Sequence, residues 1–334
     1  MKAIRVKNGK GDADALYVGE APDPTPGPRD VLIVVKAFGL NRMDIMQREA
    51  KYPYALLPES GDIMGVEFSG VVKEIGAECT SDFKVGDRVF GLAYGGAYAE
   101  LIAVSEGMLM HMPPATSFQV ASGIPETFFT AIQAVHLVGS LQPGQTVLVH
   151  AGASGVGQAV IQIAKAAGAK TIFTTAGTDD KCNLCRSLGA DFAVNYKTGE
   201  EDFADTIARE TGGKGVNLIV DLVGRDYWDR NVASAAMDSR IVLVALLSGG
   251  VVDNFNLRQL MNKRIWVQAT TLRTRNKEYQ QHLRDVFTTV ALPELAKGIM
   301  KITVDKVFRW TDIAKAHKRM ESNVNAGKII CVIG

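Results

Sequence analysis

The spacing of apolar and polar positions changes character twice along the chain. From residue 1 to about 122 the apolar residues come in short runs broken by Gly and Pro. Residues 31–38, 67–75, 87–91 and 98–104 each read as a strand, and residues 1–6 as a short strand before them. The run Pro22-Asp-Pro-Thr-Pro-Gly-Pro28 punctuates an early connection, and Val85-Gly-Asp-Arg-Val-Phe90 reads as a turn feeding a strand. This stretch predicts a mostly β unit. From about 123 to 270 strands and helices alternate instead. Residues 146–150 are apolar and β-branched, and the segment after them puts Val156, Val160, Ile163, Ala164 and Ala167 on one helical face. Further strands are expected at 171–175, 192–194, 216–222, 240–246 and 265–271. Six strands joined by helical crossovers predict a doubly wound parallel sheet. The tail, from 271 to 334, returns to mixed character and ends in an apolar strand at 328–333. That strand has no place in the alternating series, so it is expected to rejoin the first unit. The fold class is therefore α/β, with one domain from 1–122 plus 271–334 and a second from 123–270.

Composition narrows the function classes. A chain of 334 residues with 47% hydrophobic and 22% charged residues has room for two ordinary globular cores. The 37 basic and 36 acidic residues leave a formal charge of +1. Such balance argues against a nucleic-acid partner, which relies on a basic field. No apolar run reaches the roughly 20 residues of a membrane span, and no charged, apolar leader opens the chain. Cys79, Cys182, Cys185 and Cys331 are too few and scattered for a disulfide framework. A reducing, cytoplasmic setting is expected.

The chemistry is concentrated at His150-Ala-Gly-Ala-Ser-Gly-Val-Gly157, between a buried strand and an amphipathic helix. A dinucleotide pyrophosphate needs small residues here, so that the chain turns sharply and its backbone approaches the phosphates. Gly152, Ser154, Gly155, Val156 and Gly157 are the candidate contacts, with the helix N-terminus aimed at the anion. Ser154 occupies the second glycine position of the usual G-x-G-x-x-G pattern, and its hydroxyl can still bond a phosphate. An NAD site ends its second strand on a carboxylate that binds the ribose hydroxyls. Here that strand ends Thr174-Thr-Ala-Gly-Thr178 and no carboxylate comes before Asp179. Gly177, Thr178 and Lys181 are then expected to receive a 2′-phosphate, which favours NADPH. Asp179 and Asp180 oppose that reading if they point inward.

Several further strings complete a pattern: Asn41-Arg-Met-Asp44, Gly65-Val-Glu-Phe-Ser-Gly70, Val85-Gly-Asp-Arg88, Ile124-Pro-Glu126, Thr130-Ala131, Val216-Asn-Leu-Ile-Val-Asp221, Tyr227-Trp228 and Asn325-Ala-Gly-Lys328. Together with the 150–157 loop they make the chain resemble, nearly end to end, the zeta-crystallin-like quinone oxidoreductases of the medium-chain dehydrogenase/reductase superfamily, and within these the tumour-suppressor-inducible branch. The resemblance implies a GroES-like catalytic domain built from both chain ends, a Rossmann domain, and an active site in the cleft between them. It also implies a homodimer joined through the last Rossmann strands, about 265–271. Asn41, Tyr52 and Thr130 become the catalytic candidates. Asn41 would bond an acceptor oxygen, Tyr52 would stack on a ring or donate a proton, and Thr130 would face the nicotinamide. Leu246, Leu247 and Ser248 would present backbone groups to the carboxamide, while Tyr196 and Asn325 would touch phosphate or ribose.

Zinc-dependent relatives carry Cys near the position of Asn41, His at the position of Val66 and a third soft ligand near the start of the Rossmann domain. None of these is present, so no metal is expected. Cys182-Asn-Leu-Cys185 has redox spacing but no second pair, and it reads as structural. The expected activity is NADPH-dependent reduction of quinones. The enzyme alternative is reduction of enones or enoyl thioesters, and the non-enzyme alternative is a crystallin-like or RNA-binding role. Acceptor choice is expected to lie in the loops around 42–60 and 250–280.

Overall fold

The computed structural model describes residues 1–52 and 62–334. The chain opens with an antiparallel pair, β1 (Lys2–Val6) and β2 (Leu16–Glu20), in the register Ile4↔Val18. The pattern gave no warning of β2, because Tyr17 is half exposed and Gly19 interrupts the run. The organising strand is β3 (Asp30–Gly39), in which Val31, Ile33, Val35 and Ala37 are all at most 1% exposed. The alternate positions are covered too at Leu32 and Phe38, and between these they turn outward, at Val34 and Lys36. β4 (Glu67–Ile75), β5 (Arg88–Leu92), β6 (Leu101–Ser105) and β7 (Leu109–His111) follow. One edge of β3 pairs with β4; the first half of its other edge pairs with β6. The short helix Arg42–Arg48 follows β3 directly and presents Asn41 at its start.

The middle of the chain forms a six-stranded sheet, wholly parallel. Its strands are β8 (Thr146–Val149), β9 (Thr171–Ala176), β10 (Phe192–Asn195), β11 (Val216–Asp221), β12 (Ala235–Leu243) and β13 (Trp266–Ala269). Their order is β10-β9-β8-β11-β12-β13, the doubly wound 3-2-1-4-5-6 arrangement with its switch point between β8 and β11. Buried strands of this kind read as continuous apolar runs, which is why β8 and β11 were legible. The fifth strand differs from expectation: the pattern pointed to 240–246, whereas β12 runs from 235 to 243. β11 offers a partner down to Ala235 across a register shift, and its last pair is Asp221↔Leu243, so nothing remains for residues 244–246 to pair with. β13 is the edge strand, and all four of its residues are exposed.

The tail carries more helix than its pattern suggested, at Lys277–Val290, Leu292–Ala296 and Ile313–Glu321. It also holds β14 (Val304–Arg309) and β15 (Lys328–Val332). β14 was missed because three of its six side chains are charged and none is buried. β15 pairs antiparallel with the end of β3 at Ile330↔Gly39 and parallel with β14, completing a seven-stranded sheet with the N-terminal strands. Two compact units result: Met1–Thr127 with Arg273–Gly334, and Phe128–Leu272. The first encloses Phe38, Phe68, Tyr98, Ile102 and Ile329; the second encloses Leu148, Phe173, Ile219, Tyr227 and Ile241. Among the described residues, no helix is long and apolar enough to cross a membrane.

Candidate active site

The glycine-rich loop connects β8 to the helix Gly155–Ala166. Ser154 is the N-cap of that helix, and its Oγ accepts from the Gly157 N–H at 3.0 Å. The cap occupies a lone pair on the hydroxyl oxygen and leaves its O–H able to donate. Two glycines have a steric necessity. A Cβ on Gly152 would overlap Thr174 Oγ1, and one on Gly157 would overlap the Ala151 carbonyl. The loop therefore lies directly on β9, and the helix starts directly on the loop. Ala151 supplies the turn with a positive φ of 51°. The result is the tight strand-to-helix turn that a pyrophosphate requires at a helix N-terminus.

The end of β9 is neutral. Thr174 Oγ1 donates to the Val149 carbonyl at 2.7 Å and so is spent on the neighbouring strand. Thr178 caps the helix Asp179–Leu188 by accepting from the Lys181 N–H at 3.2 Å. The Asp179 carboxylate accepts from Asn195 Nδ2 at 2.8 Å, and both Asp179 and Asp180 are exposed. Tyr196 is half exposed and lies beside this turn, since a Cβ on Gly177 would come 2.9 Å from its hydroxyl. Gly177, Thr178, Lys181 and Tyr196 thus gather around one turn.

Beneath the loop runs a buried polar chain. His150 Nδ1 meets Thr175 Oγ1 at 3.0 Å and Nε2 meets Asn231 Oδ1 at 2.6 Å, while Asn231 Nδ2 donates to Asp221 Oδ2 at 3.0 Å. Burial pushes the His150 pKa down to about 4. Burial also raises that of Asp221, although the N–H groups of Val223 and Gly224 and the amide of Asn231 oppose it. His150 packs edge-on against Phe203 and Tyr227. It ties β8, β9 and the helix Trp228–Ser234 together and does not face solvent. The loop at residues 246–248 lies along residues 222–223, with Leu247 N donating to Leu222 O at 3.2 Å and Ser248 N to Val223 O at 2.8 Å. The side chains of Leu246 and Leu247 are half exposed. Thr130 is buried in the helix Pro125–Ile132 at 6% exposure.

In the other unit, Asn41 lies over a buried charge cluster. Its Nδ2 donates to Glu67 Oε1 at 2.9 Å, and its Oδ1 accepts from Lys328 Nζ at 2.7 Å. Lys328 and Glu67 form an ion pair at 2.5 Å, at 3% and 0% exposure. Asp44 accepts from the Asn41 N–H at 2.7 Å and from the Tyr98 hydroxyl at 2.8 Å. Burial lifts the Asp44 pKa to about 6. Glu126 joins the cluster through its N–H, which donates to Glu67 Oε2 at 3.0 Å. Its pKa is pushed up to about 8, first by burial and then by the Glu67 charge, with Lys328 and Arg273 opposing. Tyr52 lies under the Arg273 guanidinium, 5.4 Å from ring centroid to Cζ, and Arg273 also donates to Gln47 Oε1 at 3.2 Å and the Tyr94 carbonyl. Asn325 is a local brace, its amide donating to the Gly327 carbonyl at 3.1 Å. The remainder of the proposed specificity loop 42–60, residues 53–60, lies outside the described residues.

The sequence reading did not single out Glu67, Glu126, Arg273 or Lys328. Charged residues in a mixed tail or at a strand start look like solvated positions. The one available signal for Glu67, Glu126 and Lys328 was their place inside the strings Gly65–Gly70, Ile124–Glu126 and Asn325–Lys328, and Arg273 had none. Zinc does not fit this donor set. Val66 is apolar and buried, and Asn41's amide oxygen is bonded to an ammonium that would repel a metal.

A 3-2-1-4-5-6 sheet with a glycine-tightened first turn, joined in one chain to a mostly β unit, defines a dinucleotide-binding oxidoreductase. Comparisons with known proteins agree. Residues 27–114 match the alcohol dehydrogenase GroES-like domain and residues 155–288 match the zinc-binding dehydrogenase family. Quinone oxidoreductase-like protein 2 of Mus musculus is 32% identical over 318 residues, 93% of this chain and 86% of that protein. Quinone oxidoreductase of Pseudomonas aeruginosa is 30% identical over 324 residues, 96% of each. The crystal structure of Escherichia coli quinone oxidoreductase complexed with NADPH superposes with a TM-score of 0.86 at 28% identity, covering all of both chains. The chain belongs to the quinone oxidoreductase-like proteins of the medium-chain dehydrogenase/reductase superfamily.

Proposed function

We propose that this protein is a metal-independent NADPH:quinone oxidoreductase. The observation that carries the cofactor reading is the neutral end of β9. Thr174 and Thr175 stand where an NAD site keeps a carboxylate, and the nearest one, Asp179, is bonded to Asn195 and exposed. Gly152, Ser154, Gly155, Val156 and Gly157 would hold the pyrophosphate, with Gly177, Thr178, Lys181 and Tyr196 around the 2′-phosphate. NADPH bound there would supply a hydride. The Escherichia coli quinone oxidoreductase that was solved with NADPH supports the same choice.

The chain's own residues then bind and orient the acceptor. Asn41 offers an amide N–H to an acceptor oxygen, Tyr52 offers a ring braced by Arg273, and Thr130 is the candidate in the cofactor unit. A quinone is already electron-poor, so orientation and exclusion of water suffice, without Lewis-acid help. Glu67 and Lys328 occupy each other's charge and Asn41's amide, and the reading is metal-free for that reason. The exposed edge strand β13, with Trp266 at 62% and neighbouring Met261 at 76% exposure, supports a homodimer built on that edge. All four cysteines are unbridged, which suits the cytoplasm. A steady-state panel of quinones, enones and enals with NADPH and with NADH tests the proposal. Quinone-dependent oxidation of NADPH is expected. Turnover confined to α,β-unsaturated carbonyls would reassign the enzyme as an enone reductase.

A further inference from the structure

The ion pair under Asn41 is dearer to bury than stability requires. Lys328 opens β15 and Glu67 opens β4, and neither reaches water. All three N–H groups of the ammonium are used, on the Leu40 carbonyl at 2.6 Å, Asn41 Oδ1 at 2.7 Å and Glu67 Oε1 at 2.5 Å. Glu67 is equally committed, to Lys328, Asn41 Nδ2 and the Glu126 N–H. The backbone around the pair is pared down to admit it. A Cβ on Gly39 would overlap Glu67 Oε1, and one on Gly123 would come 3.1 Å from Lys328 Cγ. Replacing such buried pairs with apolar residues is commonly neutral or stabilising, so retention points to orientation as its purpose.

The arrangement fixes the Asn41 amide without ambiguity. An ammonium only donates and a carboxylate only accepts. Turning the amide over would set its NH2 against the ammonium and its oxygen against the carboxylate. Oδ1 therefore faces inward, and the second Nδ2 hydrogen of half-buried Asn41 is the part left to offer. The ammonium on Oδ1 also polarises the amide, which strengthens that hydrogen as a donor.

We propose that Lys328 and Glu67 are positioning residues that lock Asn41 as a hydrogen-bond donor and so select ligands presenting a carbonyl oxygen. The inference rests on the reading of Asn41 as an acceptor-binding residue. The contact strengthens as negative charge grows on the oxygen it holds, so it favours reduction of a carbonyl-bearing acceptor.

A double-mutant cycle on binding tests this without requiring turnover. The probe is tetramethyl-1,4-benzoquinone, titrated calorimetrically into the NADP+-loaded protein. Lys328→Met alone strands Glu67 as an unpaired buried charge, so the background variant is K328M/E67Q, which removes both charges together. Asn41→Ala is expected to weaken binding about tenfold in the wild type and less than about twofold in K328M/E67Q, because the freed amide no longer points at the ligand. K328M/E67Q by itself weakens quinone binding, while its NADPH affinity, set by residues 150–181, stays within about twofold. Equal losses from Asn41→Ala in the two backgrounds, or no quinone binding by the wild type, would overturn the proposal. So would a parallel drop in NADPH affinity and Tm, which marks a purely structural pair. Non-additive binding in a protein that oxidises no NADPH with any quinone would uphold this inference and sink the quinone reductase reading instead.

Discussion

Replacing Glu126 with Gln should flatten the alkaline side of the stability profile. Its carboxyl lies with Glu67 and Asp44, opposed by the cations Lys328 and Arg273, and burial first and then those carboxylates raise its pKa from the ordinary 4.5 to about 8. The native protein therefore keeps a proton that the unfolded chain releases once the pH exceeds about 4.5. Wherever the native state binds more protons, stability falls as the pH rises, so the loss runs from 4.5 up through 8. The ceiling on the whole effect is about 5 kcal/mol, from a 3.5-unit shift at roughly 1.4 kcal/mol per unit. Asp44 carries the same sign, but its window closes near 6. The buried histidines, His150 at about 4 and His317 at about 3, act in the opposite sense and only below 6.5. Between pH 6.5 and 8.5 Glu126 stands apart from them. The portion of its shift left there is about 1.5 units, or about 2 kcal/mol before solvent screening trims it to about 1–2 kcal/mol. Scanning calorimetry of cofactor-free protein should then give a Tm drop of roughly 2–6 °C in the wild type over that range. In Glu126→Gln the drop should be less than half as large. An unchanged pH slope in the variant would mean that Glu126 is already ionised at pH 6.5, and the account of the cluster would be wrong.

Two other predictions concern different surfaces. Gly152→Ala forces a Cβ into Thr174 Oγ1, so the loop must lift from β9; NADPH affinity by fluorescence titration should fall at least about tenfold, whereas wild-type affinity would refute the steric reading. Trp266→Lys places a charge on the exposed edge of β13; light scattering should show a dimer in the wild type and a monomer in the variant, with NADPH affinity retained, and a variant that stays dimeric would locate the interface elsewhere.

What the sequence disclosed follows from how each region is buried. β8, β9 and β11 lie inside a parallel sheet and read as apolar runs, and Gly152 and Gly157 read as glycines because no side chain fits there. β2 and β14 were illegible, since at most one residue of each is buried and they are held by register with β1 and β15 and not by their own pattern. The end of β12 was misjudged because apolar residues continue past the point where β11 stops offering a partner. Asn41 could be picked out by its position in a motif. Its partners could not, because Glu67 and Lys328 are 261 residues apart and meet only when β15 returns to β3. Long-range ion pairs leave no periodic trace.

The most direct test of the central claim is a comparison of kcat/KM for NADPH and NADH, with a para-quinone as acceptor. The neutral end of β9 and the turn at Gly177–Lys181 predict a preference for NADPH of at least about tenfold, the worth of one charge-assisted contact to the 2′-phosphate. Equal or better kcat/KM with NADH, or no quinone-dependent oxidation of either cofactor, would contradict it.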